Sequence, residues 1–286
     1  MMELGLENDL GGHAPDEQAL RVAARNFREA ARAQGRAEVS VPYGSHPRHA
    51  YDLFRPSAGG RDHGNGKARE AAGNDAALAV FIHGGGWRRL DKGLFSHLAA
   101  GLNELGITVA VINYRLCPEV KIYEILGDVR QAAAHLARRF ERPLVVIGHD
   151  AGAHLAACLT ATDWKARGFD RQIVSGGLGI SGIYDLRPLL GSSLNDHLEL
   201  EEVDAYTASP LLWPAPGGRR FDLFAGGEQG HGLLCHGRSL HAAWRGCGVE
   251  GELAELPGED HFSMPALLAD ARSPLTKSAH GLCLRA

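Results

Sequence analysis

The chain has 286 residues, 44% of them hydrophobic and 22% charged, and a formal net charge of −4 at pH 7. This length and apolar content favour one large α/β domain over two small ones. No basic run indicates nucleic-acid binding. No stretch approaches the roughly 18 consecutive apolar residues of a membrane span, so neither nucleic acid nor a membrane is an expected partner.

The start of the chain and its cysteines indicate the expected compartment. Residues 1–12 are acidic and lack the charged-then-apolar order of a secretory signal peptide. The cysteines are scattered with no C-x-x-C pair, which argues against a disulfide framework and a zinc site: Cys117, Cys158, Cys235, Cys247 and Cys283. We therefore expect a reduced, cytoplasmic protein with no metal and no organic cofactor.

The N-terminal region is predicted to be a loose tail followed by a helix over residues 15–34. Pro15 suits the first helical turn, the acidic pair after it favours the positive end of the helix dipole, and Gly35 can end the helix. One apolar stripe is expected to pack on the rest of the protein: Leu20, Ala23, Phe27 and Ala30. Residues 1–38 are thus interpreted as a tail and helix packed on a single domain over residues 39–286.

The domain is predicted to begin with a hairpin of two strands, residues 39–43 and 50–54. Residues 57–75 are rich in Gly, Asp, Arg and Asn and are expected to form a flexible surface loop. Beyond them, apolar strands alternate with amphipathic helices, which predicts a mostly parallel sheet with helices on both faces. The predicted strands are residues 77–82, 107–112, 144–147, 172–180, 221–225 and 251–256, and the predicted helices are residues 93–105, 123–140 and 234–244.

A sharp turn between a strand and a helix marks the predicted active site. The apolar strand breaks at Gly148, and an Ala-rich helical pattern restarts around Gly152. These glycines leave room for a strained backbone that exposes the side chain between them, which is the geometry of a G-x-S-x-G nucleophile elbow. In this chain the central residue is Asp150 instead of serine.

Three further groups would complete the site. Gly84 and Gly85, after an earlier strand, are predicted to form an oxyanion hole together with the N–H of Ala151. His261, in the loop after the last strand, is placed to act as general base. Glu228, after the preceding strand, is the carboxylate predicted to orient His261 and to stabilise its protonated form.

Short motifs spread over residues 39–276 agree with one known family. They are Tyr43-Gly44, Asp52-Leu53-Phe54, His83-Gly84-Gly85-Gly86-Trp87, Leu90-Asp91-Lys92, Asn113-Tyr114, Leu116-Cys117-Pro118-Glu119-Val120, the elbow, Ala161-Thr162-Asp163-Trp164, Ser181-Gly182-Ile183-Tyr184-Asp185-Leu186, Leu194-Asn195-Asp196, Ser209-Pro210, His261-Phe262-Ser263 and Ser273-Pro274-Leu275-Thr276. With them the chain resembles the bacterial arylformamidases, kynurenine formamidase-like α/β-hydrolases close to the small carboxylesterases. The resemblance implies an α/β-hydrolase fold and a hydrolase of small aryl amides or esters, and it leaves a homodimer open.

The chain departs from that family at the residues that matter most for the reaction. The family has serine at the position of Asp150 and usually an aromatic residue at that of Gly86. Counting back from Arg238-Ser239 places the family's acid nearer His231 than Glu228.

An aspartate at the elbow changes the chemistry. Attack of its carboxylate on a carbonyl would give a mixed anhydride, and a reference pKa of about 3.9 makes it a weak base. Attack on saturated carbon, as in opening an epoxide, would give an alkyl ester on Asp150 that water activated by His261 could hydrolyse. The elbow is similar to that of epoxide hydrolases and haloalkane dehalogenases, although residues 184–213 are short where those enzymes usually carry a helical cap.

Three hypotheses follow. The first is a hydrolase of the arylformamidase and esterase group, with Asp150 as nucleophile or as base for water. The second is an Asp-nucleophile hydrolase of an epoxide or similar electrophilic carbon. The third is a catalytically inactive member that binds a small ligand. Trp87, Tyr184 and Phe262 would line an aromatic pocket that suits an aryl molecule under all three, with core packing as the alternative for each.

Overall fold

A mixed sheet forms the centre of the molecule. The computed structural model describes residues 16–57 and 76–286. The strands are β1 (Ala37–Pro42), β2 (Ala50–Phe54), β3 (Leu78–Ile82), β4 (Val109–Ile112), β5 (Leu144–His149), β6 (Val174–Ile180), β7 (Arg220–Gly226) and β8 (Leu253–Leu256). Their order in the sheet is β1-β2-β4-β3-β5-β6-β7-β8. The predicted hairpin is confirmed, because β1 pairs antiparallel with β2 and β2 with β4, whereas the other pairs are parallel.

Helices connect the strands. They are α1 (Glu17–Ala33), α2 (Ala99–Glu104), α3 (Ile122–Phe140), α4 (Ala151–Ala161), α5 (Asn195–Leu198), α6 (Glu202–Thr207), α7 (His231–Gly246) and α8 (Pro274–Arg285). The helix predicted at residues 93–105 is instead two 3₁₀ turns followed by the short α2. Helix α8 was not predicted. Its signal is Ser273, which accepts a hydrogen bond from the N–H of Thr276, followed by Pro274 in the first turn.

The N-terminal helix packs one residue away from the predicted stripe. Asp16 caps α1 by accepting a hydrogen bond from the N–H of Gln18 at 2.9 Å. Ala24 and Ala31 are buried, whereas Ala23 and Ala30, which were predicted to pack, are exposed. The reason is the edge-to-face contact of Phe27 with Phe54 of β2, with ring centroids 5.2 Å apart. This contact fixes which face of the helix meets the sheet.

Both faces of the sheet are covered, as the continuous apolar strands predict. Alternate side chains of β3 enter two different cores, with Val80 in one and Phe81 in the other. Helices α3, α4 and α7 contribute to the first core, and α1, α2 and α8 to the second. The carboxyl ends of β3, β5, β7 and β8 therefore lie at one edge, where ligands bind in open α/β sheets.

Two further predictions concern the loop at residues 57–75 and the absence of a membrane-spanning helix. The predicted flexible loop at residues 57–75 lies, apart from Ser57, outside the described residues. Within the described ranges, no helix combines the length and apolar character that crossing a membrane requires.

Candidate active site

Asp150 lies at a strained elbow between β5 and α4. Its φ is 54° and its ψ is −121°, a region that residues other than glycine rarely occupy. A Cβ on Gly148 would lie 2.0 Å from the carbonyl oxygen of Gly152, and a Cβ on Gly152 would lie 2.0 Å from that of Ile82. Strand and helix can thus approach only because both positions are glycine. The half-buried side chain of Asp150 stands at the carboxyl edge of the sheet.

The carboxylate of Asp150 is held by two backbone amides of the loop after β3. Its Oδ2 accepts hydrogen bonds from the N–H of Gly85 at 2.8 Å and of Gly86 at 2.9 Å. Positive φ angles of 107° and 57° at these two glycines allow the amides to converge. No described residue donates a hydrogen bond to the other oxygen, Oδ1. One oxygen of the carboxylate therefore lies at the loop that is predicted to form an oxyanion hole.

The amides that bind Asp150 belong to Gly85 and Gly86, whereas the predicted oxyanion-hole donors are Gly84, Gly85 and Ala151. Gly84 instead provides space, since a Cβ there would lie 2.8 Å from the Cβ of Asp150. Gly86 takes the second donor position. Ala151 begins α4, so its N–H has no partner within the helix, and its part in the hole stays a prediction.

The surroundings of Asp150 keep its carboxylate ionised. Burial raises the pKa of this group, but the nearby His261 and His149 and the amide hydrogen bonds outweigh burial and lower it overall. Burial also lowers the pKa of His261, and it lowers that of His149, with a contribution from His261, to about 3. Both imidazoles are therefore neutral at pH 7.

His261 lies against the elbow, as predicted. Its ring centroid is 4.5 Å from that of His149, and His149 Nε2 donates a hydrogen bond to the carbonyl oxygen of His261 at 2.9 Å. The side chain is only 3% exposed. Its Nδ1 is buried and has no hydrogen-bond partner among the described residues. A histidine thus lies beside the elbow, where the predicted general base is expected, but no described carboxylate binds its Nδ1.

The loop that carries the amide donors is fixed from below by two rings that the sequence analysis did not assign to the site. The rings of His83 and Tyr114 stack with centroids 4.5 Å apart. Tyr114 donates a hydrogen bond to the carbonyl oxygen of His83 at 2.8 Å, and His83 Nδ1 donates to that of Gly84 at 2.7 Å. Burial lowers the pKa of His83 to about 4, so it is neutral at pH 7. The signal for both was the pair of motifs that follow β3 and β4.

A family model and several known proteins are similar to the part of the chain that carries the glycine loop and the elbow. The BD-FAE family model matches residues 68–178, which include the glycine loop and the elbow. The kynurenine formamidase of Danio rerio is 27% identical over 262 residues, which are 89% of this chain and 85% of that protein. The kynurenine formamidase of Salmo salar is 30% identical over 190 residues, which are 66% of this chain and 60% of that protein.

Solved structures of similar proteins point to the same group of hydrolases. A proposed thioesterase from a Silicibacter species has a TM-score of 0.78 and 28% identity, covering 100% of this chain and 95% of that one. The chain is an arylformamidase- and esterase-like α/β-hydrolase. An esterase from Pyrobaculum calidifontis, with a TM-score of 0.67 and 19% identity over 93% of each chain, shares the fold of this hydrolase. The predicted family resemblance and the predicted fold class are thereby confirmed.

The predicted triad acid of this hydrolase does not contact His261. Glu228 is exposed, and its Oε1 accepts a long hydrogen bond from the N–H of Gly258 at 3.4 Å. The predicted pairing is wrong because the loop after β7 turns Glu228 outward and the next side chain, Gln229, inward. Gln229 is only 6% exposed.

The predicted aromatic lining is also corrected in part. Trp87 is 0% exposed and Tyr184 is 1% exposed, and both belong to the core. A Cβ on Gly179 would lie 2.2 Å from the Tyr184 hydroxyl, and one on Gly182 would lie 2.6 Å from it, so this ring fills the space that two glycines leave. Phe262 is half-buried and stands edge-on to His261 with centroids 5.1 Å apart. It is the member of the three that is partly exposed.

Proposed function

We propose that this hydrolase uses Asp150 as a covalent nucleophile toward an electrophilic saturated carbon, such as that of an epoxide, on a small aryl molecule. The observation that carries the proposal is the pair of amide hydrogen bonds to Asp150 Oδ2. They hold one oxygen and leave Oδ1 to attack. The half-buried Phe262 beside His261 supports an aromatic substituent on the substrate.

The first step forms an ester on the protein. Oδ1 of Asp150 bonds to a ring carbon of the epoxide, the C–O bond breaks, and its electron pair stays on the epoxide oxygen, which takes a proton from water. Because the pKa of Asp150 is lowered, the nucleophile is ionised at neutral pH. The carboxylate needs no activating base, which suits a site where both histidines are neutral.

The second step hydrolyses that ester. His261 takes a proton from water while the water oxygen bonds to Cγ of Asp150. The negative charge that develops on Oδ2 is stabilised by the N–H groups of Gly85 and Gly86, which already hold this oxygen in the resting protein. Collapse of the intermediate breaks the bond between Cγ and the alkyl oxygen. The alkoxide takes the proton from His261 to leave a diol. The proton that remains on the carboxyl group of Asp150 neutralises the hydroxide left by the first step, so the carboxylate returns.

Hydrolysis of a small aryl amide or ester is the second candidate. It is favoured by the similarity to the kynurenine formamidases of Danio rerio and Salmo salar. For that reaction the oxygen of the substrate carbonyl needs the two amides that Asp150 Oδ2 holds. The carboxylate would have to leave the hole before each turnover and then act as nucleophile or as base for water.

A single-turnover experiment in heavy-oxygen water separates the candidates. Excess protein is mixed with styrene oxide, an aryl formamide or an activated aryl ester, and the peptide that contains Asp150 is analysed by mass spectrometry. Under the ester mechanism, styrene oxide leads to one heavy oxygen atom on Asp150, and Asp150→Asn neither gains it nor turns over. Turnover of the formamide or ester without label on Asp150 would support the second candidate instead. Binding of all three without turnover would point to the inactive ligand-binding hypothesis.

A further inference from the structure

Two buried nitrogen atoms close to the site have no hydrogen-bond partner among the described residues. They are Nδ1 of His261 and Nε2 of Gln229. The two residues are 3% and 6% exposed, so water does not replace the missing partners freely. A buried polar atom without a partner costs stability, so we expect a partner for each of the two.

The amide of Gln229 is oriented by its other end. Its Oε1 accepts a hydrogen bond from the N–H of Gly226 at 2.8 Å and another from the hydroxyl of Ser181. A backbone N–H can only donate, so the atom that faces Gly226 must be the oxygen. The NH₂ group of Gln229 therefore points away from Gly226 and has two protons to donate.

The loop that carries Gln229 lies against the residues just before His261. A Cβ on Gly226 would lie 2.4 Å from the carbonyl oxygen of Glu259 and 2.8 Å from the carbonyl carbon of Asp260. The N–H of Glu228 donates a hydrogen bond to the carbonyl oxygen of Glu259 at 3.0 Å. Gln229 follows β7, the strand after which the acid of a nucleophile–acid–histidine chain order stands.

We propose that Gln229 is the positioning residue of His261 and that its Nε2 donates a hydrogen bond to one water, which donates in turn to His261 Nδ1. The amide then stands where a triad has its carboxylate. Because Nδ1 becomes an acceptor, neutral His261 carries its proton on Nε2, the nitrogen opposite the orienting group. The Nε2 of His261 is thus a hydrogen-bond donor. The group that faces Nδ1 is a neutral amide, which does not stabilise the imidazolium form as a carboxylate would.

One consequence rests on the proposed function. With its proton on Nε2, His261 must first change tautomer before that nitrogen can accept a proton from water, so hydrolysis of the ester on Asp150 would be slower than its formation. The charged and titratable groups around His261 are Asp150 and His149 of the elbow, Asp260 of its own loop and Arg89 of the loop after β3. None of these groups lies on the loop after β7. A charge introduced at Gln229 would therefore change the pKa of His261 from a side of the ring on which none of them lies.

The test compares the protein with Gln229→Glu, Gln229→Leu and Gln18→Glu, a control with the same chemical change on the exposed start of α1. The protonated nitrogen and the pKa of His261 are measured by NMR on protein with isotope-labelled histidine. We expect the proton on Nε2 in the unchanged protein and in Gln18→Glu. Gln229→Glu should move the proton to Nδ1 and raise the pKa of His261. A proton on Nδ1 in the unchanged protein, or no change in Gln229→Glu, would overturn the proposal.

Gln229→Leu keeps the proposal testable if the buried glutamate prevents folding. It removes the donor without adding charge, so the fixed preference for a proton on Nε2 should be lost. An activity arm uses Asp150→Ser with and without Gln229→Glu on an activated aryl ester. Replacing the orienting carboxylate of a triad by an amide lowers kcat about 10⁴-fold, so the double variant should gain up to about that factor. The NMR result involves no substrate, and it therefore stands or fails separately from the proposed epoxide chemistry.

Discussion

Oδ2 of Asp150 lies 2.8 Å from the backbone nitrogen of Gly85, at the loop that is predicted to hold the oxyanion of a substrate. The side chain thereby occupies its own predicted oxyanion site. Serine carries a hydroxyl on Cβ in place of the carboxyl group and would leave both amides free. The single residue at the elbow thus decides whether the negative charge that the amides stabilise belongs to the substrate or to the protein.

Replacing Asp150 by serine should create hydrolysis of an aryl formamide and of an activated aryl ester. The change empties the hole, where each donor in comparable sites contributes about 3–4 kcal/mol to transition-state stabilisation. Release of the aryl product is the measurement. Asp150→Ala is the control, because it also empties the hole but provides no nucleophile. Equal rates for the serine and alanine variants would show that His261 cannot activate the hydroxyl.

Glu228→Gln should not change the rate of the Asp150→Ser variant beyond about twofold, and its free energy of unfolding should stay within about 0.5 kcal/mol. The side chain is exposed and contacts Gly258 through a long hydrogen bond. Steady-state kinetics and urea unfolding measure both quantities. A large loss of rate would restore Glu228 as the acid and would require the loop after β7 to rearrange.

The stability of the protein should fall as the pH drops from about 6.5. His83 and His149 have pKa values lowered to about 4 and about 3 in the folded state, against about 6.5 in the unfolded chain. Between these values the unfolded chain binds protons that the folded protein does not, so the free energy of unfolding decreases as protons are added. Urea unfolding at pH 7 and at pH 5 measures this slope. His83→Gln should reduce it, whereas His197→Gln, at an exposed position, should leave it unchanged.

Gly148→Ala should destabilise the protein by about 1–3 kcal/mol or more, because its Cβ would overlap the backbone of Gly152. Gly127→Ala is the matched control. Gly127 lies within α3, and a Cβ there meets nothing within 4 Å. That change should stabilise by about 0.4–1 kcal/mol, since it restricts the unfolded chain and suits a helix. Similar effects of both changes on thermal unfolding would argue against the close approach of β5 and α4.

Lys92→Met should cost about 3–5 kcal/mol of unfolding free energy. The ammonium of Lys92 lies 2.5 Å from the carboxylate of Asp52, and both residues are buried, so removal of one partner leaves an uncompensated charge. Asp52→Asn in addition should recover part of the loss. Arg21→Met is the control, because its ion pair with Glu17 is exposed and should contribute about 0–1 kcal/mol.

The sequence was sufficient for the features that depend on local pattern. Apolar runs located the strands, and the glycines around Asp150 located the elbow, because these signals involve residues that are close in the chain. The errors arose where a distant contact selects a side chain. Phe54 of β2 contacts α1, and Ser181 of a different loop binds the amide of Gln229, and no local pattern carries that information.

The ring of Tyr184 fills the space next to Gly179 and Gly182 that a side chain at either glycine would need. A side chain added at Gly179 or Gly182 meets the hydroxyl of Tyr184, and a smaller residue at Tyr184 leaves a cavity. A mutational scan that changes one position at a time would therefore score all three as intolerant. Libraries that vary Gly179 and Tyr184 together should recover folded combinations, so evolution of this region would proceed through paired steps whose single intermediates are unfit.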